Sequence, residues 1–212
     1  MAKNKFIPAL KYNFLTPYYD FFIKYFFPEN KSKNLILHYA MINEGEKILD
    51  FGCGTGTLLI IAKIRFPNAY LSGVDIDENI LEIASKKIKR RNLDIELKKY
   101  SGDKLPFRNN FFDKVMSSLV FHHLNKEQKI NSLEEIYRIL KKNGLVVIGD
   151  FGKPQNKLVW LMAKIISWIE PTEENMKGMI PEYMKKAGFR DIKVGRYINT
   201  FFGSVTVYTG KK

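Results

Sequence analysis

The chain has 212 residues, 45% of them hydrophobic, and a formal net charge of +13. This length predicts one sizeable α/β core rather than two domains, and a single cysteine, Cys53, excludes an internal disulfide framework. The longest apolar run outside the predicted strands, LVWLMAKIISWI, is too short to span a bilayer. The N-terminus also lacks the pattern of a signal peptide, so a cytoplasmic location is expected.

The positive charge is the compositional feature that suggests a nucleic-acid partner. Most of it is lysine, spread along the whole chain, with short clusters such as KKIKRR near expected helix ends. Such a distribution is typical of a solvated surface, so nucleic acid is a less favoured partner that stays open.

Two segments lie outside the regular pattern of the chain. Residues 1–45 contain the aromatic-rich stretch TPYYDFFIKYFFPEN and a predicted helix around KNLILHYAMI. Residues 153–178 contain both tryptophans in an amphipathic helical pattern. We expect an N-terminal helical cover and a helical insertion, which can meet in space as a cover over the sheet.

Strand and helix patterns alternate from Glu46 onwards. The runs ILDF and LVVIGDF are apolar on both sets of alternate positions, as in parallel strands buried on both faces, and the helix between Asn125 and Gly144 has one apolar face. We expect Gly144 to end that helix. Two strand-like stretches with a short connection, DIKVGRYI and TFFGSVTVYTG, are predicted to form a hairpin. The pattern predicts an α/β fold, a doubly wound Rossmann-like sheet with helices on both faces and an antiparallel strand at one edge.

Three glycines, Gly52, Gly54 and Gly56, follow the first strand. In an open parallel sheet ligands bind beyond the carboxyl ends of the strands, and glycines there let a ligand approach the backbone. A dinucleotide fingerprint would place its third glycine at position 57, where the chain has Thr57. The G-x-G-x-G spacing therefore disfavours NAD and FAD, and the missing G-K-[ST] excludes a P-loop.

Acidic residues follow the next two strands. Asp75 ends the second strand about 20 residues past the glycines, where a carboxylate accepts the hydroxyls of a ribose. Ile76 can lie against a purine, and Asp77 is expected to cap the next helix. Asp103, in YSGDKLPF, can accept an adenine amino group or simply form a turn. Together these residues predict an adenosine site without a diphosphate.

The successive stretches ILDFGCGTG, GVDID, SGDKLPF, FDKVMSSLVFHHL and LKKNGLVVIGDF resemble the motifs of class I S-adenosylmethionine-dependent methyltransferases. The resemblance is greatest to the subgroup of ubiquinone/menaquinone C-methyltransferases and related small-molecule or lipid methyltransferases. It implies a single methyltransferase domain over residues 1–212, a seven-stranded sheet with an antiparallel last strand, and S-adenosylmethionine as cofactor. The implied cofactor contacts are Asp50, Gly52, Gly54, Gly56, Asp75, Ile76, Gly102, Asp103 and Ser118.

Two groups of side chains are candidates for contact with the methyl acceptor. His122 and His123 follow the fourth strand, and one of them can act as a general base or merely pack in the loop. Tyr19 or its neighbour Tyr18 can reach the methionine carboxylate or the acceptor, or cover the core. No set of residues has the spacing of metal ligands, so no metal is expected.

The favoured function is methyl transfer to a small, apolar acceptor, quinone-like or lipid, with peripheral membrane contact through the two covers. An RNA methyltransferase and a non-catalytic S-adenosylmethionine-binding protein remain as alternatives. The stretch SSLVFHHL stands where methyltransferases of base amines commonly have N/D-P-P-[YF], which disfavours that chemistry.

Overall fold

A single mixed β-sheet runs through the part of the chain that the structure, a computed structural model, describes: residues 29–155, 177–200 and 203–212. The strands in these ranges are β1 (Lys47–Phe51), β2 (Tyr70–Asp75), β3 (Glu96–Lys99), β4 (Phe112–Ser118), β5 (Leu140–Gly152), β6 (Arg190–Thr200) and β7 (Gly203–Lys211).

The strand order is β3-β2-β1-β4-β5-β7-β6. The pairs from β3 to β5 are parallel, whereas β7 runs antiparallel to both β5 and β6. The predicted Rossmann-like sheet with an antiparallel C-terminal strand is therefore confirmed, but this strand, β7, lies between β5 and β6 and not at the edge of the sheet. The order reverses between β1 and β4, so the carboxyl ends of these two strands flank the crevice in which such sheets bind ligands.

Helices cover both faces of the sheet. They are α1 (Glu29–Ala40), α2 (Thr57–Arg65), α3 (Glu78–Lys89), α4 (Lys126–Ile139) and α5 (Ile180–Lys186), with a 3₁₀ turn at Phe121–His123. One apolar core joins α4 and α5 to the sheet, and a second joins α1 and α2 to the opposite face. Asp77 caps α3 as predicted, because its side chain accepts hydrogen bonds from the amides of Asn79 and Ile80.

Helix α1 crosses the sheet from its carboxyl edge to its amino edge. Ile36 packs on Gly149, near the end of β5, where a Cβ would lie 2.5 Å from the Ile36 Cδ1. After the helix, the Met41 carbonyl accepts a hydrogen bond from the Lys114 ammonium group. Lys114 lies in β4 and pairs with Ile48, near the start of β1. The first turn of α1 therefore lies at the carboxyl edge, beside the crevice.

The predicted helix end at Gly144 is wrong. Helix α4 ends at Ile139, and the left-handed residue after it is Asn143, with φ 62°. Gly144 lies within β5, where a Cβ would come 2.8 Å from the Lys141 carbonyl oxygen. Because Asn143 tolerates the left-handed conformation, the end of the helix needs no glycine. Gly144 is needed because a side chain at that position would have no room.

The end of the chain lies at the amino edge of the sheet. The Lys212 amide donates a hydrogen bond to the carbonyl of Gly144, and its carbonyl accepts one from Asn143. The Lys212 Nζ donates to the carbonyl of Leu140, at the start of β5, at 2.8 Å. β7 thus returns the chain to the side of the sheet opposite the crevice.

Parts of the two predicted covers lie outside the described residues: the aromatic stretch with Tyr18 and Tyr19, and both tryptophans. Within residues 29–155, 177–200 and 203–212, no helix is long and apolar enough to cross a membrane.

Candidate functional site

The loop after β1 is held against the end of β2. Gly52, Gly54 and Gly56 have φ values of 71°, 51° and 74°, all in the left-handed region. The amides of Gly52 and Cys53 both donate to the Val74 carbonyl at 2.9 Å. This geometry gives the loop a fixed path along the crevice.

The three glycines meet different surroundings. A Cβ on Gly52 would lie 2.4 Å from the Val120 Cγ2, and one on Gly56 would lie 3.3 Å from the Ala84 Cβ. A Cβ on Gly54 would meet no atom within 4 Å. Packing inside the protein therefore requires a glycine at position 52 and leaves little room at position 56, whereas Gly54 opens onto space that a ligand can use.

Asp75 ties the glycine loop to the start of α3. Its Oδ2 accepts a hydrogen bond from the Gly54 amide at 2.8 Å, and its Oδ1 accepts one from the Asp77 amide at 3.1 Å. A carboxylate oxygen has more than one acceptor site, so these bonds orient Asp75 without using its full capacity. The predicted ribose acceptor thus lies against the open glycine.

Ile76 and the loop after β3 lie close together. The Ile76 side chain is 40% exposed, and its Cδ1 would lie 3.9 Å from a Cβ on Gly102. The Tyr100 hydroxyl donates to the Gly102 carbonyl at 2.9 Å, which fixes the loop that carries Asp103. Both loop residues are exposed. The structure therefore brings the predicted purine contacts to one edge of the sheet, next to Asp75.

Asp50, in β1, is buried and has an unsatisfied oxygen. Its exposed fraction is 1%, and its Oδ1 has no hydrogen-bond partner among the described residues. Burial raises the pKa of Asp50 to about 7, the charge of Lys33 opposes this shift, and the charge of Asp75 adds to it. A buried carboxylate oxygen without a hydrogen-bond donor is costly, so this position fits a ligand that supplies a cationic N–H donor.

A buried histidine–aspartate pair lies at the ends of β4 and β5. His122 is 4% exposed, and its Nδ1 lies 3.0 Å from the Asp150 Oδ1. Asp150 also accepts hydrogen bonds from the amides of Phe121 and Phe151, each at 2.7 Å. Burial tends to raise the pKa of Asp150, but the charge and hydrogen bond of His122 outweigh it and leave this pKa below its usual range.

The His122–Asp150 pair makes the two predicted histidines differ as candidate bases. An ionised Asp150 accepts a hydrogen bond from His122 Nδ1–H, which leaves Nε2 as the basic nitrogen of the neutral ring. The His123 ring lies 3.8 Å from the His122 ring, and burial, followed by the charge of His122, lowers the pKa of His123 to about 4. His122 is the better candidate base of the two.

Three further features bear on the predicted site. Ser118 ends β4 at this edge and is half-buried, while Tyr19 lies outside the described residues. Cys53 is buried, which raises the pKa of its thiol and keeps it protonated. Among the described residues, no three His, Cys, Asp or Glu side chains form a group that could hold a metal ion.

The sequence analysis missed two contacts. Asp150 belongs to the GDF at the end of β5, where an acid ending an apolar strand was the available signal. Lys87, in α3, donates to the hydroxyls of Thr55 at 2.9 Å and Thr57 at 3.0 Å, so a lysine from a distant helix braces the glycine loop. No local pattern marks that lysine among its neighbours.

Comparisons with known proteins agree with this geometry. A family model described as a methyltransferase domain matches residues 48–144. A demethylmenaquinone methyltransferase from Lactobacillus johnsonii is 34% identical over 123 residues, covering 57% of this chain and 50% of that protein. One from Geobacillus stearothermophilus is 27% identical over 200 residues, covering 84% of this chain and 83% of that protein.

A solved structure has the same fold. A SAM-dependent methyltransferase from Methanosarcina mazei superimposes with a TM-score of 0.67 at 18% identity, covering 84% of this chain and 96% of that one. At this level of identity the likeness concerns the fold.

Proposed function

Because the chain belongs to the class I S-adenosylmethionine-dependent methyltransferases, as its motifs indicated, we propose that it methylates a small, apolar acceptor that is quinone-like or a lipid. The cofactor of this class, S-adenosylmethionine, is the predicted one. The observation that carries the proposal is the Oδ1 atom of Asp50, which is buried beside the glycine loop and Asp75 and has no hydrogen-bond partner among the described residues, since it matches the ammonium group of that cofactor.

The described side chains fit the parts of the cofactor one by one. In this proposal Asp75 accepts hydrogen bonds from the ribose hydroxyls, and the open face of Gly54 leaves room for the sugar. Ile76 and the loop with Gly102 and Asp103 suit the adenine ring. When bound, S-adenosylmethionine supplies a methyl group that is already electrophilic. The chain must therefore orient the acceptor, exclude water and handle a proton.

The pair of His122 and Asp150 supports an acceptor that loses a proton. A neutral imidazole held by a carboxylate is suited to take a proton from a phenol or an activated carbon near neutral pH. Phenols and activated ring carbons occur in quinone precursors, which are the acceptors that the names of the menaquinone-related proteins imply. This chemistry favours a quinone-like acceptor.

Transfer of a labelled methyl group to a cell extract tests the proposal. The label is expected in the lipid-soluble fraction, and Asp75→Ala should reduce its incorporation about 100-fold, since each hydrogen bond to a charged group contributes about 1.5–3 kcal/mol. Thermal unfolding of the variant checks its folding. Label confined to the RNA fraction would contradict the apolar acceptor, and no transfer to any fraction would contradict catalysis.

Cofactor binding is expected to depend on pH through Asp50. Its pKa is about 7 in the free protein, and an adjacent ammonium group would lower it, so the complex holds fewer protons than the free protein below pH 7. The affinity for S-adenosylhomocysteine should rise about tenfold per pH unit up to that pH and then level off. Calorimetry in two buffers of different ionisation enthalpy measures the released proton.

Asp50→Asn is the control for this dependence. The amide cannot ionise, so the variant should bind with an affinity that is flat between pH 5.5 and about 7.5. A wild-type affinity that is equally flat over this interval would show that Asp50 does not meet the ammonium group.

A further inference from the structure

Cations line the amino edge of the sheet, on the side opposite the crevice. The neighbouring strands β1, β4, β5, β7 and β6 each carry a lysine or arginine at this edge, or a few residues before it. These residues, here called the amino-edge row, are Lys47, Arg108, Lys142, Lys211 and Arg190. Because neighbouring strands lie about 4.8 Å apart, the row is about 19 Å long. Its members are far apart in the sequence, so only the fold brings their charges together.

Direct contacts fix both ends of the row. At one end, Lys211 pairs with Arg190 across β7 and β6. At the other end, the Lys47 Nζ lies 4.5 Å from the centre of the Phe111 ring, and the Arg108 Cζ lies 5.1 Å from the same point. One aromatic ring therefore holds two cations that come from different parts of the chain.

Most of the charge in the row is not neutralised by the protein. The Asp191 carboxylate lies 4.0 Å from the Lys211 Nζ, but Arg108, Lys142 and Arg190 form no ion pair within the part of the chain that the structure describes. None of the row residues lies in the last turn of a helix, where the helix dipole would favour a cation. Like charges at this spacing repel each other, so the row favours a partner with a series of negative charges.

An exposed aromatic side chain extends the row beyond Lys47. Tyr70, at the start of β2, pairs with Lys47 and is 62% exposed. Both residues line a cavity of about 190 Å³ together with Phe111, Asp94 and Glu96. Glu96 is already paired with a lysine, whereas the exposed carboxylate of Asp94 is an acceptor for the amino group of a base. Exposed aromatic rings beside cations are the surfaces on which proteins stack the bases of single-stranded nucleic acids.

We propose that the amino-edge row and Tyr70 bind single-stranded nucleic acid, with phosphates along the row and one base stacked on the Tyr70 ring. The high pI of the chain, about 9.6, agrees with such a partner once the charge is gathered on one edge. The crevice lies at the opposite edge, so this polymer is a binding partner and not the methyl acceptor. An anionic bilayer is less suitable, because it would lie on the side away from the crevice proposed for an apolar acceptor.

Fluorescence anisotropy with a labelled single-stranded oligoadenylate of about 12 nucleotides tests this surface. Wild type is expected to bind with a Kd of about 10⁻⁶–10⁻⁴ M at physiological salt, and more tightly at lower salt. The triple variant Arg108→Gln, Lys142→Gln, Lys211→Gln should bind about 30-fold more weakly. The slope of log affinity against log salt should also become shallower by about 2, because each phosphate contact on a single strand contributes about 0.7.

Two further variants separate the row from net charge and from stacking. Lys31→Gln, Lys104→Gln, Lys153→Gln removes the same charge at exposed positions outside the row and should stay within about threefold of wild type, since salt screens distant charges. Tyr70→Leu should weaken binding about tenfold and leave the salt slope unchanged, because it removes stacking and no charge. Equal losses in the two triple variants, a duplex bound as tightly as the single strand, or tighter binding to phosphatidylglycerol vesicles would each overturn the proposal.

Discussion

Alanine at position 122 is expected to lower the rate constant kcat of methyl transfer about 1,000-fold, because a positioned general base contributes about 10²–10⁴-fold. The reason is the imidazole of His122, whose Nδ1 lies 3.0 Å from the Asp150 carboxylate. The affinity for S-adenosylhomocysteine should stay within about threefold, since the proposed base acts on the acceptor. Single-turnover kinetics with labelled cofactor measures the first quantity and calorimetry the second.

A matched substitution distinguishes a base from a structural histidine. His122→Asn keeps an N–H donor for Asp150 but has no basic nitrogen, so its activity should stay as low as that of His122→Ala. His123→Ala should reduce kcat less than about tenfold, because a group whose pKa is about 4 is a weak base near neutral pH. Full activity in His122→Asn would mean that His122 only supports the loop.

Alanine substitutions at the first two glycines of the loop should change different properties: Gly52→Ala mainly the stability of the fold, and Gly54→Ala mainly the affinity for the ligand. Both positions have a positive φ, and an alanine in the left-handed region is unfavourable by about 1–2 kcal/mol. In Gly52→Ala the new Cβ would also lie 2.4 Å from the Val120 Cγ2, so the free energy of unfolding should fall by about 3 kcal/mol in total.

Gly54→Ala should instead weaken ligand binding. Its Cβ meets no protein atom within 4 Å, so only the backbone strain lowers its stability. The methyl group projects into the space proposed for the cofactor, and affinity for S-adenosylhomocysteine should fall about 100-fold, or about 2.7 kcal/mol. Urea unfolding and calorimetry on both variants measure the contrast. Equal affinities for Gly54→Ala and wild type would place the ligand elsewhere.

Residues at the ends of strands were predictable because their roles depend on local pattern. The sheet, the capping role of Asp77 and the proximity of Asp75 to the glycine loop follow from an apolar strand that ends in a glycine or an acid. The structure adds the hydrogen bond from the Gly54 amide to Asp75 at 2.8 Å. The roles of these residues towards the cofactor remain proposals.

The remaining features depend on contacts between distant parts of the chain. His122 and Asp150 meet only because β4 and β5 are neighbours, and no local pattern pairs residues 28 positions apart. Lys33 resembles any surface lysine in a helix, and its burial depends on how α1 lies on the sheet. The prediction for Gly144 was wrong for a similar reason, since one of the carbonyl oxygens that a Cβ there would meet belongs to Asp113, in the neighbouring strand β4.

The reversed direction of β7 has a practical consequence for experiments on this enzyme. Because Lys212 lies against Gly144 at the amino edge, a protein tethered to a sensor surface through residue 212 would present the glycine loop to the solution. Ligands or vesicles flowed over such a surface would reach the crevice without passing the attachment point.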